Sequence, residues 1–277
     1  MNEVRFPSGE KVPALGQGTW KMAEDPRVRQ EEIATLRMGI ELGATLIDTA
    51  EMYADGKAEQ LVGEAIEGIR EKVFLVTKVY PHNASRRGTE AACERSLKRL
   101  RVDQIDLYLL HWPGSVPMAE TVEGFMALQQ AGKIRYYGVS NFDQDEMEKL
   151  WAVKGGQKVA TNQVLYNLSR RGIELSLIPS LREHNVPLMA YSPLEQGRLV
   201  QDKRLREFAR RTGRTAAQAA LAWLLANPDV MVIPKSANRE RLKQNLGALE
   251  KALTQGEQEE LERLFPRPKE AGALEML

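Results

Sequence analysis

Four residues spread between positions 48 and 111 of the 277-residue chain carry groups able to give, take or hold a proton: Asp48, Tyr53, Lys78 and His111. A carboxylate, a phenol, an ammonium and an imidazole are the usual parts of acid–base chemistry, provided that they meet. Singly, each has a plain structural explanation. Asp48 could cap a turn, Tyr53 could be a core aromatic with a satisfied hydroxyl, Lys78 could reach the surface along its stem, and His111 could be a structural histidine. What sets them apart is where they fall. Each lies at or just after the end of a short apolar run. So do Thr19-Trp20, Trp112-Pro113, Ser140-Asn141-Phe142, Asn162-Gln163, Tyr191-Ser192-Pro193 and Lys235-Ser236.

The runs cover residues 14–19, 45–48, 73–78, 105–111, 136–140, 159–163, 187–191 and 230–234. Most are β-branched or Leu-rich and nearly continuous, as expected of parallel strands covered on both faces. The stretches between them carry helical spacing. Ile33, Leu36 and Ile40 fall on one helix face, and so do Leu61, Ala65 and Ile69. Gly43 sits where a helix C-terminal glycine belongs, and Asp143 to Glu146 and Thr254 to Glu257 read as capped helix starts. Before the first run, Val4-Arg5-Phe6 and Lys11-Val12-Pro13 flank Pro7 to Glu10, the pattern of a small hairpin. Eight alternations of run and helix predict a (β/α)8 TIM barrel of the α/β class, with an N-terminal β-hairpin, as one domain over residues 1–277. A doubly wound dinucleotide fold would need Gly-x-Gly-x-x-Gly after its first strand, whereas Gly16-Gln17-Gly18 runs on into Thr19-Trp20-Lys21. In a (β/α)8 barrel the active site forms at the C-terminal strand ends, so the polar groups ending the runs would converge on one mouth.

Composition narrows the function classes. A formal net charge of +1 gives no electrostatic footprint for nucleic acid or an anionic membrane. No apolar run approaches membrane-spanning length, and the N-terminus lacks a signal-peptide pattern. A single cysteine, Cys93, reads as a buried thiol in a helix and fits a reducing cytoplasm. With only His82, His111 and His184, and only His111 at a strand end, a metal-dependent hydrolase on the same barrel is disfavoured and no metal is expected.

The sequence resembles the aldo-keto reductases over almost its whole length, in particular their bacterial, methylglyoxal-reductase-like members. The resemblance rests on Gly16 to Trp20, Gly43 to Tyr53, Lys78, Asp106 to Pro113, Gly138 to Phe142, Asn162 to Asn167, Tyr191 to Leu194, and Ile233 to Ser236 leading to Arg241 and Asn245. Their order and spacing together are specific.

The resemblance implies a monomeric reductase that passes hydride from NADPH to a small-molecule aldehyde or ketone. Asp48, Tyr53, Lys78 and His111 match the family's catalytic tetrad without substitution. Tyr53 would be the proton donor, with its pKa of about 10 lowered by Lys78. Asp48 would keep Lys78 charged, and a neutral His111 would place the carbonyl oxygen. Ser140, Asn141 and Gln163 resemble the set that binds the nicotinamide carboxamide, and Tyr191 the ring that stacks on it. Gly18, Thr19, Trp20, Ser192, Pro193 and Leu194 would line the rest of the cofactor path. Lys235, Ser236 and Arg241 resemble the clamp on the 2′-phosphate, near a helix N-terminus around Asn238, with Asn245 beyond. Gln244 stands where many relatives place a glutamate contacting adenine. Trp20 and Trp112 would line the substrate pocket. The short 112–120 segment and the short tail after Pro266 predict an open site floored by Trp20, Tyr53, His111 and Trp112, with the tail ending near the last helix. The rival reading is an NADPH-sensing or regulatory barrel with weak turnover.

Overall fold

The computed structural model describes residues 2–277. The hairpin pairs β1 (Glu3–Arg5) with β2 (Lys11–Pro13), register Val4↔Val12, around a turn in which Gly9 takes φ +89°. The remaining strands of the described residues are β3 (Gln17–Gly18), β4 (Leu46–Asp48), β5 (Phe74–Val79), β6 (Ile105–Leu110), β7 (Ile134–Ser140), β8 (Asn162–Leu165), β9 (Leu188–Tyr191) and β10 (Val230–Val232). They pair in parallel in sequence order from β3 to β10. Parallel bridges Leu15↔Val232 and Gly18↔Lys235 join the last strand back to the first. The sheet is therefore closed, as the eight apolar runs predict.

Closure brings backbones unusually near one another, and two glycines allow it. A Cβ on Gly16 would lie 2.5 Å from a Leu46 methyl, and one on Gly18 would lie 2.9 Å from the Ile233 carbonyl oxygen. Side chains at these positions would hold the first strand off its neighbours, which is why the sequence Gly-Gln-Gly occurs here without a nucleotide fingerprint.

Around the barrel run α1 (Arg29–Glu41), α2 (Lys57–Ile66), α3 (Arg86–Leu100), α4 (Met118–Gln130), α5 (Gln144–Ala152), α6 (Leu177–Glu183), α7 (Lys203–Arg211), α8 (Ala216–Leu225), α9 (Arg239–Leu246) and α10 (Gln255–Leu264). Ile33, Leu36 and Ile40 all face inward from α1. The second predicted stripe is shorter than its spacing suggests. α2 stops at Ile66, Gly68 takes φ +78°, and Ile69 packs against the core from the following turn. Capping boxes start α5 at Asp143 and α10 at Thr254, as read from the sequence. Cys93 is fully buried in α3, and burial pushes its thiol up to about 12, so it is inert. Two helices exceed the simple alternation: α7, capped by Asp202, precedes α8 between β9 and β10, and α10 follows α9 after the last strand.

The two barrel ends are built differently. At the N-terminal end Phe6 packs edge-on against Phe74, the first residue of β5, and against Tyr136 of β7. Arg135 bridges Glu10 of the hairpin (2.5 Å) and Asp106 of β6 (2.7 Å). That end is closed. The strand ends carrying the candidate residues are at the other.

Candidate active site

Asp48 ends β4, Lys78 is the fifth residue of β5, and Tyr53 follows β4 on the loop into α2. The loop continues alongside β5, with Thr49 N donating to the Val76 carbonyl (2.9 Å) and Glu51 N to that of Lys78 (3.3 Å). It then turns sharply. Ala54, Asp55 and Gly56 have φ of +48°, +55° and +81° in succession. For the two non-glycine residues this conformation costs roughly 1–2 kcal/mol each, so surrounding contacts must hold it.

Lys78 has no solvent exposure. Its Nζ donates to Asp48 Oδ1 (2.7 Å), to the Thr49 carbonyl (2.9 Å) and to Tyr53 Oη (3.3 Å). An ammonium has three N–H donors and no acceptor, and here each has a partner. Asp48 uses its other oxygen to accept from Gln163 Nε2 (2.8 Å). Burial pulls Lys78 down and Asp48 up from their ordinary pKa values, and each opposes the other's shift through its charge. Full donor satisfaction favours the charged pair.

Because Tyr53 Oη accepts from Lys78, its own hydrogen is left for another acceptor. The tyrosine ring lies edge-on to Trp20 (5.0 Å) and to His111 (5.7 Å). The expectation that Lys78 lowers the Tyr53 pKa is not what the structure shows. Burial, seconded by the negative charge of Asp48, raises it well above 10. Tyr53 is thus a phenol at neutral pH, the protonation state an acid needs, and Lys78 stands 3.3 Å from the oxygen that becomes negative once the proton leaves.

His111 is buried, and burial, together with the nearby Lys78 charge, lowers its pKa to about 2. The ring is neutral, as expected. Its Nδ1 is sealed without a partner among the described residues. A buried N–H without an acceptor is the costlier arrangement, so the proton belongs on Nε2, leaving Nδ1 as a bare lone pair.

These groups face a cavity of about 1600 Å³ at the C-terminal strand ends. Every site residue read from the sequence lines it except Lys78, which sits behind Asp48 and Tyr53. Ser140, Asn141, Gln163 and Tyr191 are largely bonded within the wall. Ser140 Oγ donates to the Gln163 carbonyl (2.8 Å), Asn141 Nδ2 to the His111 carbonyl (3.1 Å), and Tyr191 Oη to Asn141 Oδ1 (2.9 Å). Gln163 is tied to Asp48 as described, so its amide nitrogen is already engaged. At the far end Lys235 and Arg241 make no ion pair among the described residues. Burial, partly offset by Glu32 and Glu24 and reinforced by Lys21 and Arg241, lowers Lys235. A cluster of unpaired cations beside the start of α9, capped by Asn238, is a fit for a phosphate dianion. Ser236 is turned inward onto the Asn238 carbonyl (2.8 Å).

The tail departs from expectation. It does not end beside α10 but crosses to the mouth, where Met276 and Leu277 line the cavity. Arg170 holds Glu275 (2.5 Å), and Leu277 N donates to Tyr191 Oη (3.4 Å). The site is therefore walled on that side. Arg206 and Arg210 of α7 also reach the cavity. Their spacing of four was visible, but nothing in the sequence tied that helix to the mouth. Among the described residues no three His, Cys, Asp or Glu side chains gather as metal ligands, and no helix is long and apolar enough to cross a membrane.

Comparison with known proteins gives concordant matches. The model of the aldo/keto reductase family matches residues 14–265. The methylglyoxal reductase YeaE of Escherichia coli is 50% identical, over 99% of this chain and 98% of its own length. The glyoxal reductase of Bacillus subtilis is 33% identical over 96% of each. A Klebsiella pneumoniae aldo/keto reductase, crystallised with NADP and acetate, superposes with a TM-score of 0.97 at 48% identity, covering 100% of this chain and 99% of that one.

The buried pair yields a test of its own. Asp48→Asn should destabilise the fold by roughly 3–5 kcal/mol, because Lys78 is left buried without a counter-charge. Asp48→Asn combined with Lys78→Met should recover much of that loss. Urea unfolding of both variants checks it, and a double variant no more stable than the single one would contradict the pairing.

Proposed function

The chain belongs to the aldo/keto reductase family, and within that family we propose that Tyr53, Lys78, Asp48 and His111 are the groups that reduce its carbonyl substrate. It is an NADP-dependent oxidoreductase acting on small aldehydes and ketones. When bound, NADPH supplies the hydride to the carbonyl carbon. The chain's own residues manage the oxygen. His111 Nε2–H orients it, Tyr53 gives it a proton, and Lys78 stabilises the phenolate that remains until water reprotonates it. Asp48 keeps Lys78 charged and aimed. The observation that carries this reading is the Lys78–Tyr53 contact, which assigns the phenol oxygen as acceptor and releases its hydrogen toward the cavity.

Lys235 and Arg241 would hold the 2′-phosphate, and Gln244 and Asn245 would flank adenine. Ser140, Asn141 and Gln163 would meet the carboxamide with the lone pairs left over from the wall. Gly18, Thr19, Ser192, Pro193, Leu194 and Ser236 would shape the cofactor path, with the Tyr191 ring against the nicotinamide. Trp20 and Trp112 would face the substrate. Small dicarbonyls such as methylglyoxal suit the aromatic floor of Trp20, Tyr53, His111 and Trp112, and the E. coli relative carries that activity in its name. The family resemblance supports a monomer, and the lone inert thiol suits the cytoplasm. No observation favours a regulatory subunit.

Tyr53→Phe should lower kcat for methylglyoxal by on the order of 10²–10⁴-fold while leaving NADPH binding intact, because only the proton donor is lost. With His111 neutral above a pKa of about 2, kcat/KM should show no acid limb near the ordinary histidine range. NADPH oxidation followed against pH measures both. Surviving activity in Tyr53→Phe would show that another acid serves.

Lys235→Met together with Arg241→Ala should raise KM for NADPH by roughly 10²-fold, the equivalent of two charge-assisted contacts, with NADH little affected. Steady-state kinetics with each cofactor decides it, and equal effects on both would remove the phosphate assignment.

A further inference from the structure

The loop that presents Tyr53 is held from outside the barrel, by a residue on a different helix. Arg99, near the end of α3, reaches both flanks of that loop. Its Nε donates to Glu59 Oε2 (2.5 Å), one turn into α2, and its Nη2 lies 3.8 Å from Glu51 Oε2, two residues before Tyr53. Between these points its stem lies under Gly56. A Cβ there would come within 2.6 Å of Arg99 Cδ and 2.7 Å of its Nε.

Both carboxylates are themselves anchored to the strand that carries Lys78 and to the loop after it. Glu59 is fully buried and accepts from Thr77 Oγ1 (2.6 Å), the residue beside Lys78 on β5. Glu51 accepts from Tyr80 N (2.8 Å) and Asn83 Nδ2 (3.0 Å), with Arg95 at 3.5 Å. The three consecutive left-handed residues 54–56 lie inside this frame. Such a segment keeps its shape only while its surroundings impose it.

We infer that Arg99 is a positioning residue for catalysis, clamping Glu51, Gly56 and Glu59 so that the Tyr53 hydroxyl stays between Lys78 and the cavity. It touches neither substrate nor cofactor, since it does not line the cavity. Its effect is on where the phenol sits, and the inference rests on Tyr53 being the proton donor. Loss of the clamp lets the left-handed segment relax, and the phenol moves with it. The cofactor end of the cavity, built on β9, β10 and α9, is untouched. Arg99 thus acts on kcat and not on cofactor affinity.

The test uses the full-length protein with NADPH and methylglyoxal, with rates expressed per NADPH-binding site. Arg99→Lys keeps a positive charge beside Glu59, but one nitrogen cannot serve Glu59, Glu51 and the underside of Gly56 together. It should lower kcat about tenfold through misplacement of the acid, with the Kd for NADPH within about twofold of the parent. Deuterium at the transferred hydrogen should then slow kcat more than in the parent, because the chemical step has become limiting. Arg99→Met with Glu59→Gln removes both charges of the buried pair, so neither is stranded, and should show the same pattern. Either variant, folded and with kcat per site and isotope effect unchanged, would overturn the assignment. An active Tyr53→Phe enzyme would instead undo the reading of the site. An inactive Tyr53→Phe beside an unimpaired Arg99→Lys would remove the role of Arg99 alone.

Discussion

An ammonium taken out of water must find an acceptor for each of its three N–H bonds, and the mouth of this barrel is arranged around one that has. Lys78 is completely buried, and its three partners come from the end of β4, the next residue, and the loop beyond. The third acceptor is a hydroxyl, and a hydroxyl that accepts from lysine has its hydrogen free. Orientation of the phenol hydrogen therefore follows from satisfaction of the ammonium. Asp48 extends the arrangement across the barrel, since its second oxygen is fixed by Gln163 from β8. The dry surroundings that make Lys78 demanding also set the other protonation states, holding Tyr53 as a phenol and His111 as a neutral imidazole.

Rigidity is distributed to suit this. The N-terminal end is shut by the hairpin, with Phe6 between Phe74 and Tyr136 and with ion pairs from Arg135. The C-terminal end keeps its opening, and backbone strain is concentrated there. Residues 54–56 after Tyr53, Asn141 after β7, and Ser192, Glu195 and Gln196 after β9 all take positive φ. A barrel with stability at one end and chemistry at the other can carry such turns, because the strands beneath them do not yield.

Much of this was legible in the sequence. Parallel strands buried on both faces leave continuous apolar runs, and their ends locate the mouth, so Asp48, Lys78 and His111 could be placed before any coordinates. Capping residues such as Asp143 and Thr254 act locally, and local signals survive in sequence. What stayed hidden depends on tertiary surroundings. Ile69 keeps helical spacing, but Gly68 ends the helix before it. Nothing local in the tail shows that it travels from α10 to Tyr191. The direction of the Tyr53 shift is hidden in the sequence, because the motif displays Lys78 and conceals both the desolvation and the opposing charge of Asp48. Arg99 is one basic residue in a helix rich in them, and only the fold brings Glu51, Gly56 and Glu59 to its side.

The hydrogens at Lys78 and Tyr53 are the most direct test of the account. A neutron structure of the deuterated protein at neutral pH would locate them. Three deuterons on Lys78, directed at Asp48, the Thr49 carbonyl and Tyr53, with the phenol deuteron turned to the cavity, are predicted. A neutral lysine amine accepting the Tyr53 deuteron would contradict the proposed origin of the acid.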